Sequence, residues 1–272
     1  MYDNDHITGH FTSYGGHARP QLAMLLSLLR KGDVVIDAGA HIGSFAVPIA
    51  NAIGPSGKLI AVEANPHTHA ILSRNLERHG IDANAYNNGI SDQTGERLFI
   101  HINRGENSGA DSLVQNAAGP AVETITIDEI AGCPIDFIKI DVEGMEFEAL
   151  KSARRTIDDS RPIIFLEYSR RRQRQRGVSP EDFSSFVRAI DYRVLVNLCP
   201  GQAANDRFEI AELADIGDLS SMSDLVLIPA DSKRMPANIV PASSPKMRRY
   251  LLKQQLRDLS GIPKRIIKNY LR

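Results

Sequence analysis

The sequence predicts an α/β protein with a mostly parallel sheet and helices on both of its faces. Apolar, strand-like runs alternate with helix-like segments from about residue 21 to 229, which is how parallel strands joined by crossover helices read. At 272 residues the chain is long enough for one large domain with a sizeable core. Its 42% apolar and 24% charged residues are ordinary for a soluble globular protein and argue against wholesale disorder.

The elements follow in order. "PQLAMLLSLLRKG" has Pro20 at a helix start and Gly32 at a helix stop, so it predicts a short helix leading into the sheet. In "DVVIDAGAHIGSFAVPIANAIG", Val34 to Ile36 form a β-branched strand, Asp37 to Gly43 the turn, and Ser44 onward a helix ending near Gly54. "KLIAVEANP" is the second strand. "HTHAILSRNLERHG" is a helix with Ile71, Leu72, Asn75, Leu76 and His79 at helical spacing, closed by Gly80. "ANAYNNGISD" reads as a third strand running into a loop, and "ERLFIHI" as an extra edge strand. Residues 103–121 are rich in Gly, Asn and Ser and mark a long loop. After "VETITIDEI" come "DFIKID" as the fourth core strand, a helix over about 145–157, and "RPIIFLEYS" as the fifth strand. "SPEDFSSFVRAI" starts a helix with a good cap and Pro180 at its first position. "YRVLVNL" and "SDLVLIP" are the last two core strands, and beyond Pro229 the apolar rhythm fades into a Pro, Ser and Ala linker. The chain therefore divides into an N-terminal segment and helix (1–30), a main domain (31–230), and a linker with a basic tail (231–272).

Composition narrows the setting. A formal net charge of -1 gives no general attraction to nucleic acid. Cys133 and Cys199 lie far apart without metal-ligand or redox spacing, so they read as buried free thiols in a reducing compartment. The start, "MYDNDHITGH", has aspartates where a secretory signal carries basic residues, and no apolar run approaches membrane-spanning length. A cytoplasmic protein is expected.

The turn "DAGAHIG" carries the first chemistry. Gly39 and Gly43 allow close approach of the backbone to a ligand, and the helix starting near Ser44 points free N–H groups toward it. Glu63 ends the next strand twenty residues after Gly43, where an acid on a doubly wound sheet accepts bonds from ribose hydroxyls. Together these describe a nucleoside pocket. The run is D-x-G-x-x-x-G and not the G-x-G-x-x-G of dinucleotide sites. Asp37 would repel a pyrophosphate and suits a ligand with a cationic amino group and a sulfonium.

"VVIDAGAHIGSF" resembles the first motif of the S-adenosylmethionine-dependent methyltransferases with the Rossmann-like, seven-stranded class I fold. "TITIDEI", "DFIKIDVEGMEFEALKSA" and "IIFLEYS" together closely resemble the FkbM family of methyltransferases, over about Gly32 to Pro229. That resemblance implies S-adenosylmethionine as cofactor and methyl transfer to a hydroxyl on a sugar, glycan or secondary metabolite. It makes Asp37, Gly39, Ala40, His41, Gly43, Ser44, Glu63, Ala64 and Asp141 the expected cofactor contacts, His41 through its backbone. Ser91 and Asp92 in "GISD" are expected at the adenine edge, although Asp92 equally suits a cap on the turn "SDQTG".

The acidic stretch after the fourth strand can then be sorted. Phe137, Lys139 and Asp141 project to one face of the strand, Ile138 and Ile140 to the other. A lysine in a sheet covered on both faces needs a partner, and Glu167 at the end of the fifth strand is the candidate. Asp141 and Glu143 fall in the loop outside the strand's carboxyl end, where open α/β sheets bind ligands. Either accepts the hydroxyl proton, or the two share a divalent metal with Glu167 as third oxygen ligand, for which Mg²⁺ is the fitting ion. Alternatively Asp141 only positions the cofactor and Glu143 only caps a helix. The expected catalytic set is Asp141, Glu143, Lys139 and Glu167. Glu146 and Glu148 fall in a helical first turn, where the dipole favours acids without any catalytic role, although the motif of the resembled family also carries an acid at the position of Glu146.

The remaining features are less specific. His67 and His69 read as surface residues, while His6, His10 and His17 lie in a polar N-terminal segment that folds over the pocket in one reading. "SRRRQRQRG" reads either as a docking site for an acidic acceptor or as a solvated charged loop. From Ser243 the tail holds nine Lys or Arg against one Asp, with Tyr250, Leu251, Leu252, Leu256 and Leu259 forming an apolar face. Such a helix docks on the core, on a second subunit in a homo-oligomer, or on an anionic membrane surface, with protein the favoured partner. A rival to the enzyme is a non-catalytic nucleoside-binding or tethering module that uses the arginine loop and tail to hold a partner. Four intact acids, Asp37, Glu63, Asp141 and Glu143, weigh against it.

Overall fold

The computed structural model describes residues 18–101, 112–115, 119–199, 206–236 and 239–258. Five parallel strands form its centre: β1 (Val34–Ala38), β2 (Lys58–Val62), β3 (Ala83–Tyr86), β8 (Phe137–Ile140) and β9 (Ile163–Tyr168). β12 (Ser223–Pro229) pairs antiparallel with both β9 and β10 (Tyr192–Asn197), so β10 regains the common direction. β11 (Ile210–Glu212) adds an antiparallel edge. The order is β11-β10-β12-β9-β8-β1-β2-β3, eight strands where seven were expected. The additional one is β11, whose three residues are too few to show a periodicity in the sequence.

Both faces are covered, as the apolar strand runs predict. Val35, Leu59, Phe137 and Ile163 pack with α1 (Arg19–Leu28), α2 (Ala46–Ile53) and α3 (Pro66–Arg78) through Met24, Leu25, Ile49 and Leu72. Their strand neighbours Ile36, Ile60, Ile138 and Ile164 face the other way. The short α4 (Ile127–Ile130) closes that layer with α5 (Glu146–Ser152), α6 (Arg154–Ser160) and α8 (Pro180–Ala189). Each fully buried Ile or Leu contributes about 1.5–3 kcal/mol. Where one helix was expected over about 145–157, Ala153 breaks the run (φ -101°, ψ 11°) into α5 and α6. The cap predicted for α8 is present as a capping box between Ser179 and Asp182.

The expected edge strand lies elsewhere. β5 (Arg97–His101) belongs to a second, four-stranded sheet with β4 (Gly89–Ile90), β6 (Ser112–Val114) and β7 (Ala121–Ile125), in the order β4-β7-β5-β6. Only Leu98 and Ile100 of β5 are buried, the one-sided pattern of an antiparallel ribbon. Their cluster includes Leu113, Val122 and Met145 and packs against Ala64 and Val142, so this sheet sits beside the carboxyl ends of β2 and β8. Within the stretch read as a loop, residues 112–114 are strand, while 102–111 and 116–118 lie outside the described residues.

After the main sheet, Arg234 makes a bidentate ion pair with Asp33 (2.6 and 2.8 Å), and Val240 bridges to Ala211. The tail helix α9 (Pro245–Asp258) docks on the domain through buried Met247 and Gln254 with half-buried Tyr250 and Leu251. Leu252 is 47% exposed and is not on the docked face, contrary to expectation; the Leu256 side chain and Leu259 lie outside the described residues. So do the N-terminal segment and its three histidines. Cys133 and Cys199 are free and half-buried rather than buried. Among the described residues no helix is long and apolar enough to cross a membrane.

Candidate active site

Strand register assembles the site. β8 lies between β1 and β9, so Lys139 is opposite Asp37 on one side and Phe165 on the other. Lys139 Nζ is 2.9 Å from Asp37 Oδ1 and 3.7 Å from Asp141 Oδ2, donates to the Gly39 carbonyl at 3.0 Å, and lies 5.3 Å from the centroid of the Phe45 ring. The expected partner, Glu167, is not among these contacts. Side-chain faces were legible, but the pairing of β1 with β8 is set by topology, and it brings Asp37 nearer than the strand end. Burial alone would lower the Lys139 ammonium; the Asp37 and Asp141 carboxylates outweigh it and keep it charged. Lys139 is 2% exposed and has no surface from which to touch an acceptor.

Asp37 is correspondingly different from its expected role. It is a strand residue, not part of the turn, and it is fully buried. Its carboxylate faces Lys139. Asp141, at the end of β8, keeps its side chain 34% exposed.

The glycine turn is held tightly. At Gly39 (φ +82°) a Cβ would stand 1.8 Å from the Asp141 carbonyl oxygen, so only glycine lets the ends of β1 and β8 touch. Ala40 is buried, and its N–H, like that of Gly39, bonds to the Val62 carbonyl at 2.9 Å. His41 has φ +50° and donates its backbone N–H to Glu63 Oε2 at 2.8 Å. Glu63 Oε1 accepts the Asn65 N–H at 2.9 Å and the Thr68 hydroxyl at 2.7 Å. Glu63 thus ties the turn to the start of α3. Asn87 donates to the carbonyls of Glu63 and Ala64, both at 2.9 Å, and secures the end of β2. Ser44 is half-buried in the last part of the turn before α2, and Gly43 takes φ +92°. Ser91 is 2% exposed and donates to Glu96 at 3.0 Å, while Asp92 pairs with Lys151 of α5.

Three carboxylates expected at the end of the fourth and fifth strands converge. Asp141, Glu143 and Glu167 each offer an oxygen within 4.8 Å of the others. Glu167 is opposite buried Asp224 across β12. Burial, then repulsion by Asp141, raises Glu143 to about 8 despite Arg172. Burial and its Asp141, Glu143 and Asp224 neighbours raise Glu167 to about 9. Glu146 is 1% exposed and accepts the Gly144 N–H at 2.8 Å, so it is no mere dipole acid; burial raises it to about 7. Glu148 pairs with Arg176 at 2.8 Å.

"SRRRQRQRG" is not a solvated loop. Its start forms the helix α7 (Arg170–Gln175), and Arg172 pairs with both Glu143 and Glu167. The sequence reading did not single out Arg172. Arg172 and Arg176 are four apart, but so are Arg170 and Arg174, so spacing alone does not select Arg172.

A family model described as the methyltransferase FkbM domain matches residues 37–194. No curated protein matches in sequence. Among solved structures, a methyltransferase FkbM from Methylobacillus flagellatus KT is similar, with a TM-score of 0.51 and 19% identity, over 79% of this chain and 49% of that one. The chain thus spans about half the length of that protein. A SAM-dependent methyltransferase from Aquifex aeolicus has a TM-score of 0.41 and 13% identity, over 84% of this chain and 100% of that one. The O-methyltransferase TomG from Streptomyces achromogenes, solved with SAM, has a TM-score of 0.43 and 13% identity, over 77% and 79%.

Proposed function

The chain belongs to the FkbM methyltransferase domain family, with the class I methyltransferase fold, and from that premise we propose that it transfers a methyl group from S-adenosylmethionine to a hydroxyl on a small molecule, sugar or glycan. The observation that carries this reading is the convergence of Asp141, Glu143 and Glu167 beside the glycine turn of β1.

In this reading the turn from Gly39 to Ser44, with Glu63 and Ala64, receives the adenosine, and Ser91 and Asp92 border the adenine. Glu63, whose carboxylate is held by three donors of the chain, would accept from the ribose hydroxyls. Asp141 meets the cationic methionine end. The bound cofactor supplies an electrophilic methyl carbon whose bonding pair leaves with the sulfur. The chain's own work is to hold the acceptor oxygen in line with that carbon and to take its proton. Glu143, whose carboxyl burial and Asp141 raise to about 8, would take the proton in its ionised form. The all-oxygen set of Asp141, Glu143 and Glu167 also fits Mg²⁺, which would lower the pKa of the hydroxyl.

The test is to incubate the full chain and labelled S-adenosylmethionine with fractionated extracts of the source organism and identify the methylated molecule by mass spectrometry. A product methylated on oxygen, lost with Asp141→Ala, supports the reading. Methylation on carbon or nitrogen overturns the hydroxyl acceptor, and no transfer in any fraction overturns the enzyme. A stimulation by Mg²⁺ that chelation abolishes tests the metal separately.

A further inference from the structure

The helix α7 brings two consecutive side chains to the turn that carries Glu143. Arg172 lies across the ends of β8 and β9: Nη2 pairs with Glu143 Oε2, and Nη1 is 3.3 Å from Glu167 Oε2 and 3.8 Å from Met222 Sδ. Gln173 is 1% exposed; its Nε2 donates to the Gly144 carbonyl at 3.2 Å and to Glu146 Oε2 at 2.5 Å. Glu146 Oε1 accepts the Gly144 N–H at 2.8 Å, which closes the contact on itself.

The turn is one that needs holding. Glu143 has φ +52°, a left-handed conformation that costs a non-glycine residue about 1–2 kcal/mol. Gly144 follows at φ +111°, a conformation that side chains rarely adopt, so glycine suits this turn.

Charge makes the same demand. Glu143 and Glu167 feel Asp141 from the loop after β8; Glu146 of α5 acts on Glu143, and Asp224 of β12 on Glu167. Lys139 is turned to Asp37 and to the Gly39 carbonyl. Among the described residues, Arg172 is the cation paired with both carboxylates. The segment from Glu167 to Gln173 supplies an acid, the guanidinium that pairs it with a second acid, and the amide that fixes the second acid's backbone.

The geometry points to Arg172 as a positioning residue for methyl transfer, its fork setting Glu143 and Glu167 relative to each other while Gln173 fixes the backbone beneath Glu143. This role rests on the methyl-transfer reading above. Without the guanidinium nothing bridges the two carboxyl groups and their relative placement is lost, and a misplacement of about 1 Å at a reacting group costs roughly 100-fold in rate.

The test measures transfer from labelled S-adenosylmethionine into the extract fraction that wild type methylates, with the cofactor concentration varied. Arg172→Gln is expected to lower apparent kcat about 100-fold while KM for the cofactor stays within about twofold. Arg172→Lys is expected to recover about tenfold of that loss, because an ammonium neutralises the pair without the two-pronged geometry. A residue that served folding alone would lower the melting temperature and would not split kcat from KM. Arg172→Gln with kcat within about twofold of wild type, or Arg172→Lys no better than Arg172→Gln, overturns the role. Wild type that transfers no methyl group overturns the functional reading, and the role with it. Hydrogen exchange checks the second contact without an acceptor: Gln173→Leu is expected to speed exchange of the Gly144 amide about tenfold or more, and an unchanged rate removes Gln173 from the account.

Discussion

Lys139 and Asp37 face each other in register on β8 and β1, Nζ to Oδ1 2.9 Å, with 2% and 0% of their side chains exposed. This buried pair also reaches Asp141 and the Gly39 carbonyl, at the ends of β8 and β1. It is the link between the two motifs that the sequence displays separately. Lys139→Met leaves Asp37 buried without its counter-charge, at a cost of about 3–5 kcal/mol. The double variant Asp37→Leu with Lys139→Met is expected to recover most of that loss in a urea titration. A double variant as unstable as the single one would contradict the pairing.

Gly39→Ala is expected to damage the site more than the fold. Its Cβ would stand 1.8 Å from the Asp141 carbonyl at a φ of +82°, so the ends of β1 and β8 must part. The expected result is a loss of stability above about 1 kcal/mol and cofactor affinity reduced about tenfold or more. Thermal melting and calorimetry on one preparation measure both.

Much of this was legible in the residues. The alternation of strands and helices, the turn "DAGAHIG", Glu63 at a strand end and the placing of Asp141 and Glu143 all depend on local pattern. What was not legible depends on contacts between distant segments. The partner of Lys139 is decided by the β1–β8 register, a hundred residues apart in sequence. Glu146 looked like an ordinary first-turn acid because only α7, with Gln173, shows that it is buried. The five arginines after β9 carry no mark of which turns inward, and the short helix that decides it has too little apolar content to show a periodicity.

Asp224 predicts a pH dependence of stability. It is 8% exposed, and burial pushes its carboxyl up to about 7. A raised acid holds its proton in the folded state while the unfolded chain has lost it, so its contribution is complete below about 4 and is lost as pH rises through about 7. Asp224→Asn keeps an oxygen to accept from Asn197 and removes the titration. Between pH 5.5 and 8.5 wild type is expected to lose more stability than the variant, by on the order of 1 kcal/mol or more. Parallel urea midpoints for the two proteins across that range would contradict it.

Gln254 predicts how firmly the tail helix is held. Its buried side chain accepts the Ser221 N–H at 2.8 Å and donates to Ser223 Oγ at 3.1 Å and Tyr250 Oη at 2.9 Å. Gln254→Ala orphans the Ser221 amide and is expected to cost about 1–3 kcal/mol. Limited proteolysis of the variant should cut within α9 sooner than in wild type.

The central claim is that the glycine turn of β1 and the end of β8 form one anionic pocket for S-adenosylmethionine. Isothermal titration of the full chain with that cofactor tests it most directly. The account predicts one site per chain in wild type, and an affinity about tenfold or more weaker in Asp141→Ala, with the fold intact by circular dichroism. Wild type that binds no cofactor, or an Asp141→Ala variant that binds it as tightly as wild type, would contradict it.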